Sequence, residues 1–122
     1  MNEKKKTLVL GASENPSRYS FLALNRLQSH NHPVVAIGKK KGMVGVVAIE
    51  TEKKPWEEVD TVTLYLNPRH QEEYYNYIIE LKPKRIIFNP GAENDELASM
   101  AAKKGIQPVE ACTLVMLATN QY

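Results

Sequence analysis

The residues best suited to chemistry stand together in one loop, Gly11-Ala-Ser-Glu-Asn-Pro-Ser-Arg-Tyr-Ser20. A turn of small residues, Gly11, Ala12 and Ser13, lets backbone N–H groups approach an anion, and a helix starting behind it adds partial positive charge. The Ser13 hydroxyl can donate a hydrogen bond, and the Arg18 guanidinium can grip two phosphate oxygens at once. This is chemistry for holding a pyrophosphate. The loop lacks the full Gly-x-Gly-x-x-Gly spacing. Taken alone it therefore leaves open a plainer reading, with Gly11 as a turn residue and Arg18 as a solvated side chain.

A second stretch, Ile37-Gly38-Lys39-Lys40-Lys41, narrows the ligand. An NAD site places an acid at this point to hold the ribose hydroxyls. Here the sequence has three cations and no carboxylate, which attract a ribose phosphate. A phosphorylated nucleotide, coenzyme A or NADP, is expected rather than NAD; a solvated lysine turn is the alternative. Net charge is only +2, against a protein that coats nucleic acid. Its distribution is uneven: no acid falls between Glu14 and Glu50, whereas Arg18, Arg26 and Lys39 to Lys41 do. A compact anion is the simplest partner for such a surface.

These loops need elements to position them. Thr7-Leu-Val-Leu10 and Pro33-Val-Val-Ala-Ile37 read as strands, each closed by a glycine, with Phe21, Leu24 and Leu27 at helical spacing between them. Asn31 suits a left-handed cap after that helix. Met43 to Ile49 reads either as a further short strand or as irregular extended chain. Thr61 to Leu66 is a strand. Asn67-Pro68 makes an N-cap and first-turn pair for a helix burying Tyr74, Tyr77, Ile78 and Leu81. Arg85 to Phe88, a helix with Leu97, Met100 and Ala101 ended by Gly105, the short strand Pro108 to Glu110 and a helix from Thr113 to Ala118 complete the order. Strands separated by helices are crossover units. The expected fold is a three-layer α/β/α sandwich, a Rossmann-like doubly wound, mainly parallel sheet of about five strands. Ligands bind such sheets beyond the carboxyl ends of the strands. That edge carries the first loop, the lysine turn, Asn67 to His70, Asn89 to Asn94, and Ala111 to Thr113. His30 and His32 fall at the opposite edge and are expected to be solvated.

The chain has 122 residues, 43% hydrophobic and 25% charged, and is expected to form one domain over 1–122. Cys112 is the only cysteine, so no intramolecular disulfide forms. No apolar run reaches the ~20 residues of a membrane span. The basic start is followed by too few apolar residues for a signal-peptide core, so a cytoplasmic protein is expected. No catalytic constellation is readable. His70 reads as a surface residue, and Glu93, Asp95 and Glu96 as dipole-stabilising acids at a helix start. Cys112 is either a small packed residue or a thiol able to pair with a thiol ligand. Tyr75, off the packed helix face, is a candidate dimer contact.

Gly11-Ala-Ser13, Asn15-Pro16, Arg18-Tyr-Ser20, Asn89-Pro-Gly-Ala-Glu-Asn94 and Glu110-Ala-Cys-Thr113 together resemble the small stand-alone CoA-binding domain proteins. The resemblance runs from Thr7 to about Ala118. The chain is similar, more distantly, to the N-terminal domain of the succinyl-CoA synthetase α subunit. The resemblance implies a domain that binds coenzyme A or an acyl-CoA and is non-catalytic alone. By position, Gly11, Ala12, Ser13 and Arg18 would take the pyrophosphate, with Ser20 assisting, and Lys39 and Lys40 would face phosphate groups. Asn67 and Pro68 would border the adenosine, and Pro90 and Gly91 the pantetheine arm. Gly38-Lys39 departs from the Asn-Pro pair often found there in that family. The competing expectation is an NADP-binding small oxidoreductase or a subunit of a CoA-dependent enzyme, and a homodimer or a partner subunit remains open.

Overall fold

Short β-branched and aliphatic runs build the sheet, its central strands buried on both faces and its edge strands partly exposed. The computed structural model describes residues 3–122. Its strands are β1 (Thr7–Ala12), β2 (Val34–Gly38), β3 (Gly42–Val44), β4 (Val47–Glu50), β5 (Thr61–Leu64), β6 (Arg85–Phe88) and β7 (Gln107–Glu110). They form one seven-stranded sheet in the order β3-β4-β2-β1-β5-β6-β7. Every neighbouring pair is parallel except β3 with β4. The helices are α1 (Tyr19–Ser29), α2 (Pro68–Gln71), α3 (Tyr75–Leu81), α4 (Asp95–Lys103) and α5 (Thr113–Ala118), with a 3-10 turn over Glu72–Tyr74 between α2 and α3.

Alternation along the strands divides the core in two. Leu24 and Leu27 of α1 and Leu117 of α5 pack with Val9, Ala36, Val47 and Ile49 on one face. On the other, Ile78, Leu97 and Ala101 pack with Leu8, Leu10, Ile37, Val62, Leu64, Ile86 and Phe88. Each such fully buried aliphatic contributes roughly 1.5–3 kcal/mol. The expected three-layer, mainly parallel sandwich is therefore present, with β1 at its centre.

Two expectations are corrected, the strand count and the exposure of His32. The sheet has seven strands rather than about five, because Gly42 to Glu50 folds into an antiparallel hairpin turning at Gly45, whose φ is +62°. His32 is buried rather than solvated. Its Nδ1 accepts a hydrogen bond from the Lys5 backbone N–H (2.9 Å), and its ring lies 4.9 Å from that of Tyr122. Tyr75, the candidate dimer contact, is half-buried against the core and its hydroxyl accepts from Asn94 Nδ2 (2.8 Å). Pro68 is the first residue of α2 and does not border the cleft described below.

The local stop signals behave as their chemistry dictates. Asn31 has φ +63° just past α1, and Gly105 has φ +78° past α4. Asn67 caps α2 by accepting from His70 N–H (3.0 Å), and Asn94 caps α4 by accepting from Leu97 N–H (3.1 Å). The crossover from β4 to β5 contains no helix; Trp56 and Val59 fill that layer instead. No helix among the described residues is long and apolar enough to cross a membrane.

Candidate functional site

At the carboxyl edge of the sheet the loops after β1, β2, β5 and β6 enclose a cleft of about 1210 Å³. Drug-sized ligands occupy about 300–1,000 Å³, so this space suits something larger, such as a dinucleotide-sized molecule. Two close approaches form its floor. Gly11 bulges out of β1 with φ +96°, and a Cβ there would sit 3.0 Å from the Tyr65 backbone carbon. At Gly38 a Cβ would lie 2.2 Å from the Ala12 carbonyl oxygen. Only glycine fits at Gly38, which gives a steric reason for the Gly38-Lys39 sequence after β2.

The loop between β1 and α1 is held by its own polar side chains. Ser13 Oγ accepts from Asn15 N–H (3.0 Å), and Asn15 Oδ1 accepts from Ser17 N–H (3.0 Å) and Ser17 Oγ (2.8 Å). Arg18 N–H then bonds to the Asn15 carbonyl (3.0 Å). The Ser13 hydroxyl hydrogen remains available to a ligand. No side chain caps α1, and its first turn carries no acid, so its positive end is not neutralised locally.

Ten of the eleven residues expected at the site line this cleft: Gly11, Ala12, Ser13, Arg18, Ser20, Lys39, Lys40, Asn67, Pro90 and Gly91. Arg18, Lys39 and Lys40 are exposed, whereas Ser20 is buried. His70 lines the cleft as well, and Cys112 does not. Two buried networks brace the wall formed by the later loops. Gln71 Nε2 donates to the Leu66 and Ala92 carbonyls (both 2.8 Å), while Asn94 Nδ2 donates to Gln71 Oε1 (2.9 Å). Asn89 Nδ2 donates to Thr63 Oγ1 (2.7 Å) and the Leu64 carbonyl (2.9 Å), and its Oδ1 accepts from Thr113 N–H (2.8 Å). These bonds fix the ends of β5 and β6 and the start of α5 relative to one another.

Sequence reasoning missed several cleft residues, among them Tyr65, Thr51 and Glu14. Tyr65 follows β5, and burial raises its phenol pKa far above the usual range. The hydroxyl sits beside Thr63 and Thr113 without a hydrogen bond of ordinary geometry among the described residues. Thr51 enters from the end of β4, which the sequence left uncertain. Glu14 crosses from the first loop to the lysine turn, where Met43 N–H donates to its Oε2 (2.8 Å). A carboxylate thus stands beside a turn that carries none in sequence; only the pairing of β3 reveals it. Among the described residues no cluster of three or more His, Cys, Asp or Glu side chains is placed to hold a metal ion.

Comparison with known proteins points the same way. The CoA binding domain family matches residues 5–118. A crystal structure described as an uncharacterized protein is 52% identical, with a TM-score of 0.96 over 99% of this chain and 100% of its own. A hypothetical protein from Pyrococcus horikoshii OT3 is 22% identical (TM-score 0.86, covering 95% of this chain and 83% of that one). A conserved hypothetical protein from Pyrococcus furiosus is also 22% identical (TM-score 0.78, covering 91% and 97%). The two Pyrococcus structures share the fold. Among curated proteins, none matches.

Proposed function

This chain belongs to the CoA binding domain family, and from that premise we propose that it holds coenzyme A or an acyl-CoA by its phosphates without converting it. The observation that carries the reading is the convergence of Gly11, Ala12, Ser13, Arg18, Ser20, Lys39 and Lys40 on one large cleft at the carboxyl edge. In this reading the pyrophosphate lies over the β1–α1 loop, against backbone N–H groups at the uncapped α1 terminus and the Arg18 guanidinium. Lys39 and Lys40 take the ribose phosphate. Asn67 spends its carbonyl oxygen on capping α2, so only its amide N–H groups face the adenosine. Pro90 and Gly91 flank the pantetheine arm. The residues act by positioning and charge, and the protein carries its ligand in the cytoplasm as a single domain.

Calorimetric titration with coenzyme A, acetyl-CoA, NADP and NAD in parallel tests this. Micromolar binding of coenzyme A, none of NAD, and at least tenfold weaker coenzyme A binding by a Lys39→Ala/Lys40→Ala variant are expected. The lysines are exposed, so the variant keeps its fold. Preference for NADP would move the assignment to the oxidoreductase-like reading, and silence with all four ligands would overturn it.

A further inference from the structure

Two carboxylates line the cleft and work against anion binding, Glu14 from the β1–α1 loop and Glu73 from the turn between α2 and α3; only Glu14 stands on the loop that precedes α1. Glu14 lines the same cleft as Arg18, Lys39 and Lys40, yet among the described residues it forms no ion pair with any of them. Its seat is specific. Oε2 accepts from Met43 N–H at 2.8 Å, and a Cβ on Gly42 would lie 2.3 Å from the Glu14 carboxyl carbon. Glycine at 42 therefore leaves room for the carboxylate at the end of the lysine turn. Accepting a backbone hydrogen bond requires an oxygen and not a charge; a glutamine would serve β3 equally well. A carboxylate in a cleft that also carries lysines lowers its affinity for phosphate and at the same time offers an acceptor to a ligand hydroxyl.

Resting on the nucleotide reading above, we propose that Glu14 is the specificity residue of the cleft: it accepts from the free 2′-hydroxyl of an adenosine 3′-phosphate and excludes a 2′-phosphate. One wall then presents cations and a carboxylate side by side, matching a phosphate and a hydroxyl on neighbouring ribose carbons. Lys39 and Lys40 attract phosphate at either position and give no discrimination between them. Glu14 supplies the repulsive element that selectivity between such isomers requires. Oε2 stays bonded to Met43 N–H, which leaves Oε1 as the acceptor for the ligand hydroxyl.

The test compares adenosine 3′,5′-bisphosphate with adenosine 2′,5′-bisphosphate by calorimetry, on the wild-type chain and on Glu14→Gln. Glutamine keeps an acceptor for Met43 N–H and removes the charge, so an unchanged melting temperature shows that the hairpin is intact. The wild type is expected to prefer the 3′,5′ isomer by at least about tenfold, and the variant to lose most of that preference by binding the 2′,5′ isomer more tightly. An equal preference in both proteins, or no preference in the wild type, overturns the role of Glu14 while leaving nucleotide binding in place. If the wild type binds neither isomer, the nucleotide reading itself falls and this proposal with it.

Discussion

Gly38 carries the tightest backbone approach in the cleft, with the Ala12 carbonyl where a Cβ would stand. Its neighbours there are backbone and a β4 side chain, so they cannot swing aside. Gly38→Ala is expected to cost about 1–3 kcal/mol in denaturant unfolding. Unchanged stability would mean that β1 and β2 do not meet as described. His32 sets a pH dependence at the opposite edge. Burial lowers its pKa below the ordinary 6.5, reinforced by the positive charges of Lys4, Lys5, His30 and Arg85. The neutral ring is also the form that accepts from Lys5 N–H. The unfolded chain thus binds the proton more readily, and the stabilisation is complete above about pH 6.5 and is lost as pH falls through the folded value. Melting temperature followed from pH 8 to pH 5 should fall less steeply in His32→Gln than in the wild type; parallel curves would remove His32 from the account. Ser13 and Arg18 were legible in sequence because their spacing from Gly11 is local. Glu14 was not, since its partner Met43 lies 29 residues away. The burial of His32 was hidden for the same reason: the chain's last residue, Tyr122, folds back against it.

The β3–β4 hairpin is the element on which the lysine turn depends. Beyond its packing on Leu24 and Leu27, it is hydrogen-bonded to α1 through Gln28: Gln28 Nε2 donates to the Val44 carbonyl (2.9 Å), and Gln28 Oε1 accepts from Val46 N–H (3.1 Å). Losing these bonds in Gln28→Ala should cost about 1–3 kcal/mol and speed hydrogen exchange at Val46 well beyond that of β1 amides. Equal protection in variant and wild type would show that the hairpin holds itself. The segment resisted assignment because its strands are three and four residues long and bury only alternate side chains, Val44, Val47 and Ile49. The neighbouring crossover, 51–60, resisted for a different reason. Pro55 and the positive φ of Glu58 break any helix, and Trp56 reaches the core from an extended chain. By contrast, the C-terminal ends of α1 and α4 were readable, because stops such as Asn31 and Gly105 act through immediate neighbours.

Across the whole molecule, chemistry and anchoring occupy opposite edges of the sheet. The carboxyl edge gathers the glycines, hydroxyls and cations of the cleft. At the amino edge, Tyr122 lies over the Arg85 guanidinium (4.4 Å) and shares a hydrogen bond with Thr7. The fold class was legible because alternating strand and helix signals admit few topologies. Which loop residues meet is a property of the closed sheet, and only the strand order supplies it. A smaller recess of about 480 Å³, lined by Trp56, Tyr77 and Glu80, stands apart from the cleft residues and serves as an internal control. The most direct test of the account is a map of backbone amide shifts in the 13.8 kDa chain as coenzyme A is added. Saturable shifts concentrated in Gly11 to Ser20, Gly38 to Lys40, Tyr65 to Tyr74 and Gly91 to Ala92 are predicted. Shifts centred on Trp56 and Glu80, or none at millimolar coenzyme A, would contradict it.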